Sequence, residues 1–338
     1  MRIMEKLEGL GTALITPFDA NGKVDYKALA RLLDTQLTGF VDYIVVLGTT
    51  GEAATLTPEE KKEVRQFIVE HVKLAALKRP NPAMDDPDIC AAIRPVSIPL
   101  VLGVGGNNTA AVCAELAAIH DELLENYAAI LSVCPYYNKP NQEGLFRHFC
   151  AVAEASPIPV VLYNVPGRTG VNLLPETVMR IYEAHPDKIC GIKEASGNVE
   201  QIKRLIKMST EYRVQNTDPI SPYSVSKAVC TPSGKAGLLV ISGDDGIACE
   251  LMEAGAAGLI SVASNAFPED FYHIVHDKDA SLQAKYAETI KLLFAEGNPV
   301  GIKAVLSQKG LITNSLRLPL VPASEELQEK IIQELGVI

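Results

Sequence analysis

Lys188–Ser196 reads KICGIKEAS: a short apolar run of Ile189, Cys190 and Ile192, with a lysine set into it and a Gly197-Asn198 break behind it. This is the pattern of a buried β-strand followed by a turn. Lys193 is the anomaly. An ammonium in an apolar strand is costly to desolvate, so it either snorkels to water from an edge or is held there for chemistry. In the second case burial lowers its pKa, and the free amine can attack a carbonyl to form a Schiff base.

Runs of the same kind flank it on both sides. Leu10–Phe18, Tyr43–Leu47, Pro99–Val104, Ala129–Cys134, Pro159–Tyr163, Gly237–Ser242 and Ala257–Val262 bring the number of strand-like segments to eight, nearly all followed by an amphipathic helical pattern. Unbroken apolar strands are buried on both faces, and eight β-α units in one chain predict an α/β fold, a (β/α)8 TIM barrel. A doubly wound sheet is the alternative. Its dinucleotide fingerprint is missing, because Gly103-Val104-Gly105-Gly106-Asn107-Asn108 ends in Asn where the last Gly belongs. Asp25 caps a helix whose Leu29, Leu32, Leu33 and Leu37 share one face. Thr57-Pro58-Glu59-Glu60 combines an N-cap, a first-turn proline and an N3 glutamate, and its helix is expected to reach about Lys78.

Residues 1–297 are thus read as the barrel and 298–338 as additional C-terminal helices. Two connections, about 75–98 and 209–236, are too long for simple turns and are rich in Pro, Asp, Ser and Lys. Both lie between a helix and the next strand, which in a barrel is the bottom face, so they are expected to be decorations rather than catalytic loops.

Composition narrows the function. The 338 residues are 47% hydrophobic and 21% charged, with a net charge of −10 and the signs interspersed. That argues against nucleic acid or an anionic membrane surface as partner. Seven cysteines without a C-x-x-C pair suggest a reducing compartment and neither disulfides nor a zinc site. His273 and His276 have no carboxylate motif beside them and are read as surface residues, so no metal is expected. With no signal-like N-terminus and no spanning segment, a cytoplasmic location is expected.

Catalytic groups of a barrel sit at the C-terminal strand ends. There this chain places Thr49-Thr50, Pro135-Tyr136-Tyr137, Tyr163 to Thr169 (YNVPGRT), Lys193, Gly243-Asp244-Asp245 and Ile260-Ser261. Each alone has an ordinary structural explanation: core tyrosine, capping threonine, surface arginine. Together they suit one chemistry. A lysine amine condenses with a keto acid, the protonated imine becomes an electron sink, hydroxyls relay protons, and an arginine takes a carboxylate in bidentate fashion.

Gly48-Thr49-Thr50-Gly51-Glu52, Pro135-Tyr136-Tyr137-Asn138, the YNVPGRT run, Gly191-Ile192-Lys193-Glu194 and Ser242-Gly243-Asp244-Asp245, in that order, resemble the dihydrodipicolinate synthase family of pyruvate-dependent class I aldolases, which also includes N-acetylneuraminate lyase. The resemblance covers most of the chain apart from the two long connections. It implies condensation of pyruvate with aspartate-4-semialdehyde on the route to lysine and diaminopimelate, with no cofactor beyond the lysine–pyruvate imine. Lys193 would form the imine, Tyr163 act as acid and base, and Thr49 link Tyr163 to Tyr137 in a proton relay. Thr50 would hold the pyruvate carboxylate, Gly243 and the Ile260 main chain line the pocket, and Arg168 receive the second substrate. The lyases of the superfamily lack that arginine, so Arg168 favours a synthase over a lyase acting on another 2-keto acid. A non-catalytic binding barrel is the least favoured reading.

The resemblance also implies a homodimer or homotetramer in which Tyr137 crosses into the neighbour's site. Family members that lysine inhibits bind it beside the first tyrosine of PYY. Here Asn107 and Tyr136 are kept, but the supporting positions read Ala53, Pro58, Lys61 and Ala111, so insensitivity to lysine is expected.

Overall fold

The computed structural model describes residues 7–78, 98–216 and 237–336. Eight parallel strands close into a barrel: β1 (Gly9–Ala13), β2 (Tyr43–Val46), β3 (Leu100–Gly103), β4 (Ala129–Val133), β5 (Val160–Asn164), β6 (Ile189–Glu194), β7 (Leu239–Ser242) and β8 (Gly258–Ser261). Each strand pairs with the next in sequence, and β8 returns to β1 from Gly9–Gly258 to Thr12–Ser261. The closed order rules out the doubly wound sheet.

Two apolar layers explain why the strand sequences lack a polar period. Val45, Val101, Leu131, Val161, Ile241 and Ile260 fill the barrel interior. Ile44, Leu162 and Ile192 face outward against helix residues such as Leu29, Leu32 and Leu33. Each such side chain taken from water stabilises the fold by about 1.5–3 kcal/mol. The ladders are shorter than the apolar runs because the flanking residues stay buried while their main chain turns to other partners. Ile15 N, for example, donates to the side chain of Asn265 at 3.1 Å.

Local signals set the helix starts. The Asp25 carboxylate accepts from Lys27 N and Ala28 N, both at 3.0 Å, and the helix Tyr26–Thr38 buries Leu29, Leu32, Leu33 and Leu37. At the next helix, Pro58–Lys78, Thr57 Oγ1 accepts from Glu60 N at 3.2 Å and Thr57 N donates to the Glu60 carboxylate at 3.0 Å, a complete capping box.

The second long connection begins later than its composition suggests. Residues 209–216 are the last turns of the helix Val199–Asn216. The polar stretch is anchored there: Ser209 Oγ donates to Leu238 O at 2.7 Å, and the Tyr212 ring meets Tyr182 at 5.2 Å. Likewise residues 75–78 belong to the helix Pro58–Lys78. The remainder of both connections, 79–97 and 217–236, lies outside the described residues.

After the eighth unit's helix, Pro268–His276, come Ala280–Lys285, Ala287–Phe294, Val300–Gln308 and Glu325–Leu335. Among the described residues no helix is long and apolar enough to cross a membrane.

Candidate active site

Lys193 on β6 pairs in the ladder with Tyr163 on β5, and its Nζ stands 4.6 Å from the tyrosine ring centroid. The lysine is 6% exposed, so it does not snorkel from an edge. A β-bulge points it inward. Val160 pairs with Ile189 but Val161 with Gly191, leaving Cys190 as the extra residue. Cys190 packs inside the barrel, whereas Ile189 and Ile192 both pack outside it. Strict alternation from Cys190 would turn Ile192 inward and Lys193 outward. At the end of β7, a Cβ on Gly243 would lie 2.8 Å from Lys193 Cε, so the glycine leaves room for the lysine chain. Ile260 of β8 is buried in the same inner cluster as Tyr163.

Two carboxylates brace this end of the barrel. Glu194, beside the lysine, accepts from Asn164 Nδ2 at 2.9 Å, Ser196 N at 2.8 Å and Gln201 Nε2 at 3.2 Å, tying β6 to β5. Burial pushes its carboxyl up, against these hydrogen bonds. Burial also pushes Asp245 up to about 6, while its oxygen accepts from Val262 N at 3.1 Å and Ala263 N at 3.4 Å and fixes the loop after β8.

Past β2 the chain makes the tight turn Thr49–Gly51 and is halted by Glu52 at φ 50°. A non-glycine residue in the left-handed region costs about 1–2 kcal/mol, so its surroundings must hold it. Thr50 is buried, and its Oγ1 accepts from Asn298 Nδ2 at 2.8 Å. Thr49 is exposed at the rim of a cavity of about 480 Å³, which is also lined by Tyr136, Tyr163, Arg168 and Asn298. Arg168, in the turn Pro166–Thr169, donates through Nη2 to Asn298 O at 3.2 Å.

Tyr137 stands apart. It is 88% exposed, with φ 73°, and its N donates to Thr169 O at 3.3 Å. Among the described residues no hydrogen bond joins its side chain to Thr49 or Tyr163. The barrel mouth therefore sets Lys193 beside Tyr163 and Gly243, and Tyr163 shares a cavity with Thr49 and Arg168. Thr50 and Ile260 are buried and do not line that cavity, and Tyr137 points out of the chain.

Sequence reasoning missed the device that holds the Thr49–Gly51 turn. Glu52 forms an ion pair with Lys303, their side chains 1% and 0% exposed, and Lys303 Nζ also donates to Ser315 O at 3.0 Å. Desolvation pulls the Lys303 ammonium below the usual lysine range, against the Glu52 carboxylate. Arg317 N donates to the second Glu52 oxygen at 3.3 Å. Its guanidinium grips Glu60 in bidentate fashion, at 2.7 and 2.5 Å, and reaches Thr55 O at 2.9 Å. Lys303 and Arg317 both lie over the Phe18 ring, at 4.2 and 4.4 Å from its centroid. The C-terminal segment is thereby bolted to the turn after β2. A signal was present: Lys303 interrupts the apolar run Val300–Leu306 much as Lys193 interrupts its strand.

The chain matches the sequence profile of the Dihydrodipicolinate synthetase family over residues 6–76, 90–216 and 225–337. It is 42% identical to the 4-hydroxy-tetrahydrodipicolinate synthase of Parabacteroides distasonis, across 97% of this chain and 96% of that protein. With the enzyme of that name from Phocaeicola vulgatus it shares 40% identity across 99% of each. Two solved structures are similar: dihydrodipicolinate synthase from Thermotoga maritima, at TM-score 0.79 and 34% identity over 98% of this chain and 100% of that one, and the chloride-inhibited enzyme from Acinetobacter baumannii complexed with pyruvate, at 0.79 and 35% with the same coverage. Barrel, strand-end motifs and full-length likeness agree, and the chain belongs to the dihydrodipicolinate synthetase family.

Proposed function

We propose that this enzyme condenses pyruvate with L-aspartate-4-semialdehyde to 4-hydroxy-tetrahydrodipicolinate, a step of lysine and diaminopimelate biosynthesis, through an imine on Lys193. The observation that carries the reading is a lysine buried at a barrel mouth with its amine 4.6 Å from the Tyr163 ring. Lys193 Nζ attacks the pyruvate carbonyl, the carbinolamine loses water, and the imine accepts the electron pair when the methyl group is deprotonated. Tyr163 moves the protons, with Thr49 and Tyr137 completing the relay. Thr50 and the Ile260 main chain hold the pyruvate end beside Gly243, and Arg168 takes the carboxylate of the aldehyde substrate. The reaction needs no cofactor or metal. Residues 298–338 act as a helical extension of the barrel domain, and the acidic, cysteine-bearing chain works in the cytoplasm.

Borohydride reduction with pyruvate tests the reading. One pyruvyl group should be fixed, on the peptide that contains Lys193, and label on Lys139 or elsewhere would sink the assignment. Adding candidate aldehydes before reduction separates a synthase from a lyase acting on another 2-keto acid.

Tyr137, exposed on the lone chain, completes the relay in a neighbouring subunit of a homodimer or homotetramer. Mixing inactive Tyr137→Phe with inactive Tyr163→Phe subunits should therefore restore part of the activity. No recovery, with subunit exchange verified, would place the whole relay within one chain.

Feedback by lysine is absent in this reading. Glu52 is engaged by Lys303 and Arg317 and is not at hand to receive a ligand amine. Lys61 lines the cavity beside Tyr136 and opposes a cationic ligand, leaving Glu115 as the nearby acid. Initial rates at saturating pyruvate should not change with about 1 mM lysine, where a missing charged partner weakens binding by two decades or so. Clear partial inhibition would show that Glu115 rebuilds the site.

A further inference from the structure

Asn298 lies between the helices Ala287–Phe294 and Val300–Gln308 and is 8% exposed. It touches both substrate-binding groups. Its Nδ2 donates to Thr50 Oγ1 at 2.8 Å, and its main-chain oxygen accepts from Arg168 Nη2 at 3.2 Å. Its Oδ1 is buried and has no hydrogen-bond partner among the described residues.

The direction of the first bond matters. An amide nitrogen only donates, so the Thr50 oxygen is the acceptor and its own proton is left over. Among the described residues no protein group accepts that proton. With the opposite amide orientation the Asn298 oxygen would gain a partner, but it would take the Thr50 proton away from any ligand. The loop that presents Asn298 is held firmly, because Lys303 is ion-paired with Glu52, two residues beyond Thr50.

We propose that Asn298 is a positioning residue that serves both substrates. Its side chain aims the Thr50 hydroxyl proton at the carboxylate of the 2-keto acid, and its carbonyl sets the Arg168 guanidinium for the carboxylate of the second substrate. This rests on the pyruvate site proposed above.

The test reads half-saturation of the borohydride-trapped pyruvate adduct beside steady-state turnover, on the full-length protein. Asn298→Ala removes the donor and should raise the half-saturating pyruvate concentration about tenfold or more, as for a lost hydrogen bond to a charged ligand, with kcat within about threefold. Asn298→Asp keeps the shape, claims the Thr50 proton and faces the pyruvate carboxylate with its own charge, so its defect should be larger than that of alanine. In a Thr50→Val background, Asn298→Ala should add less than about twofold, since its action runs through the missing hydroxyl. Wild-type half-saturation in both Asn298 variants would overturn the proposal. So would independent, multiplying losses in the double variant. A wild-type protein that traps no pyruvate would instead strike down the reaction itself, and this inference with it.

Discussion

Replacing Lys193 by arginine is expected to lower turnover by at least ~10³-fold and to abolish the pyruvate adduct on reduction. Arginine keeps the positive charge, so any ionic attraction for pyruvate survives. Its guanidinium stays protonated and offers no electron pair to a carbonyl, so the covalent step does not survive. A neighbouring amine is a poor substitute. Among the described residues the other buried lysine is Lys303, and it is held by Glu52 and Ser315 O. The comparison is made from single-turnover rates on wild type and variant, with folding verified by circular dichroism. Turnover within tenfold of wild type, or a reducible adduct on another residue, would remove Lys193 from its role.

The second large effect is on stability. Lys303→Met leaves the Glu52 carboxylate buried without its cation, and breaking one side of a buried ion pair costs about 3–5 kcal/mol. Glu52 also sits in the left-handed region, so the turn that carries Thr49 and Thr50 loses the contact that keeps it there. Removing the carboxylate charge as well, in Glu52→Gln with Lys303→Met, should recover a large part of the loss, because a neutral pair has no uncompensated charge to desolvate. Urea unfolding at one fixed protein concentration measures both. A single variant within about 1 kcal/mol of wild type, below the range for a broken buried pair, would mean that water reaches Glu52 and solvates it.

The parts of this fold that local pattern reveals are those with local causes. Eight apolar runs mark eight strands because both faces of each are buried, and Asp25 and the Thr57–Glu60 box start their helices because capping reaches only three residues. The bulge on β6 was less accessible. Period-two reading sends Lys193 the wrong way, and the one hint is Gly191 inside a strand, a common mark of a bulge. Residues 209–216 looked like a loop from their polar composition, yet Ser209 and Tyr212 bind neighbouring elements and keep them helical. The strand-end groups were legible as motifs. Their supports were not, because Thr50 and Asn298 are 248 residues apart, and Glu52 and Arg317 are 265 apart. No window of sequence contains both halves of such a contact.

That separation also sets an order of assembly in time. Protein synthesis adds about 5–20 residues per second. The turn bearing Thr49 and Thr50 therefore leaves the ribosome roughly 12–50 s before Asn298 and Arg317 can reach it. Lys193 is made in between. A growing or prematurely ended chain thus carries Thr50, Arg168 and Lys193 before it carries Asn298 and Arg317, the residues that brace the turn after β2 and the Arg168 guanidinium.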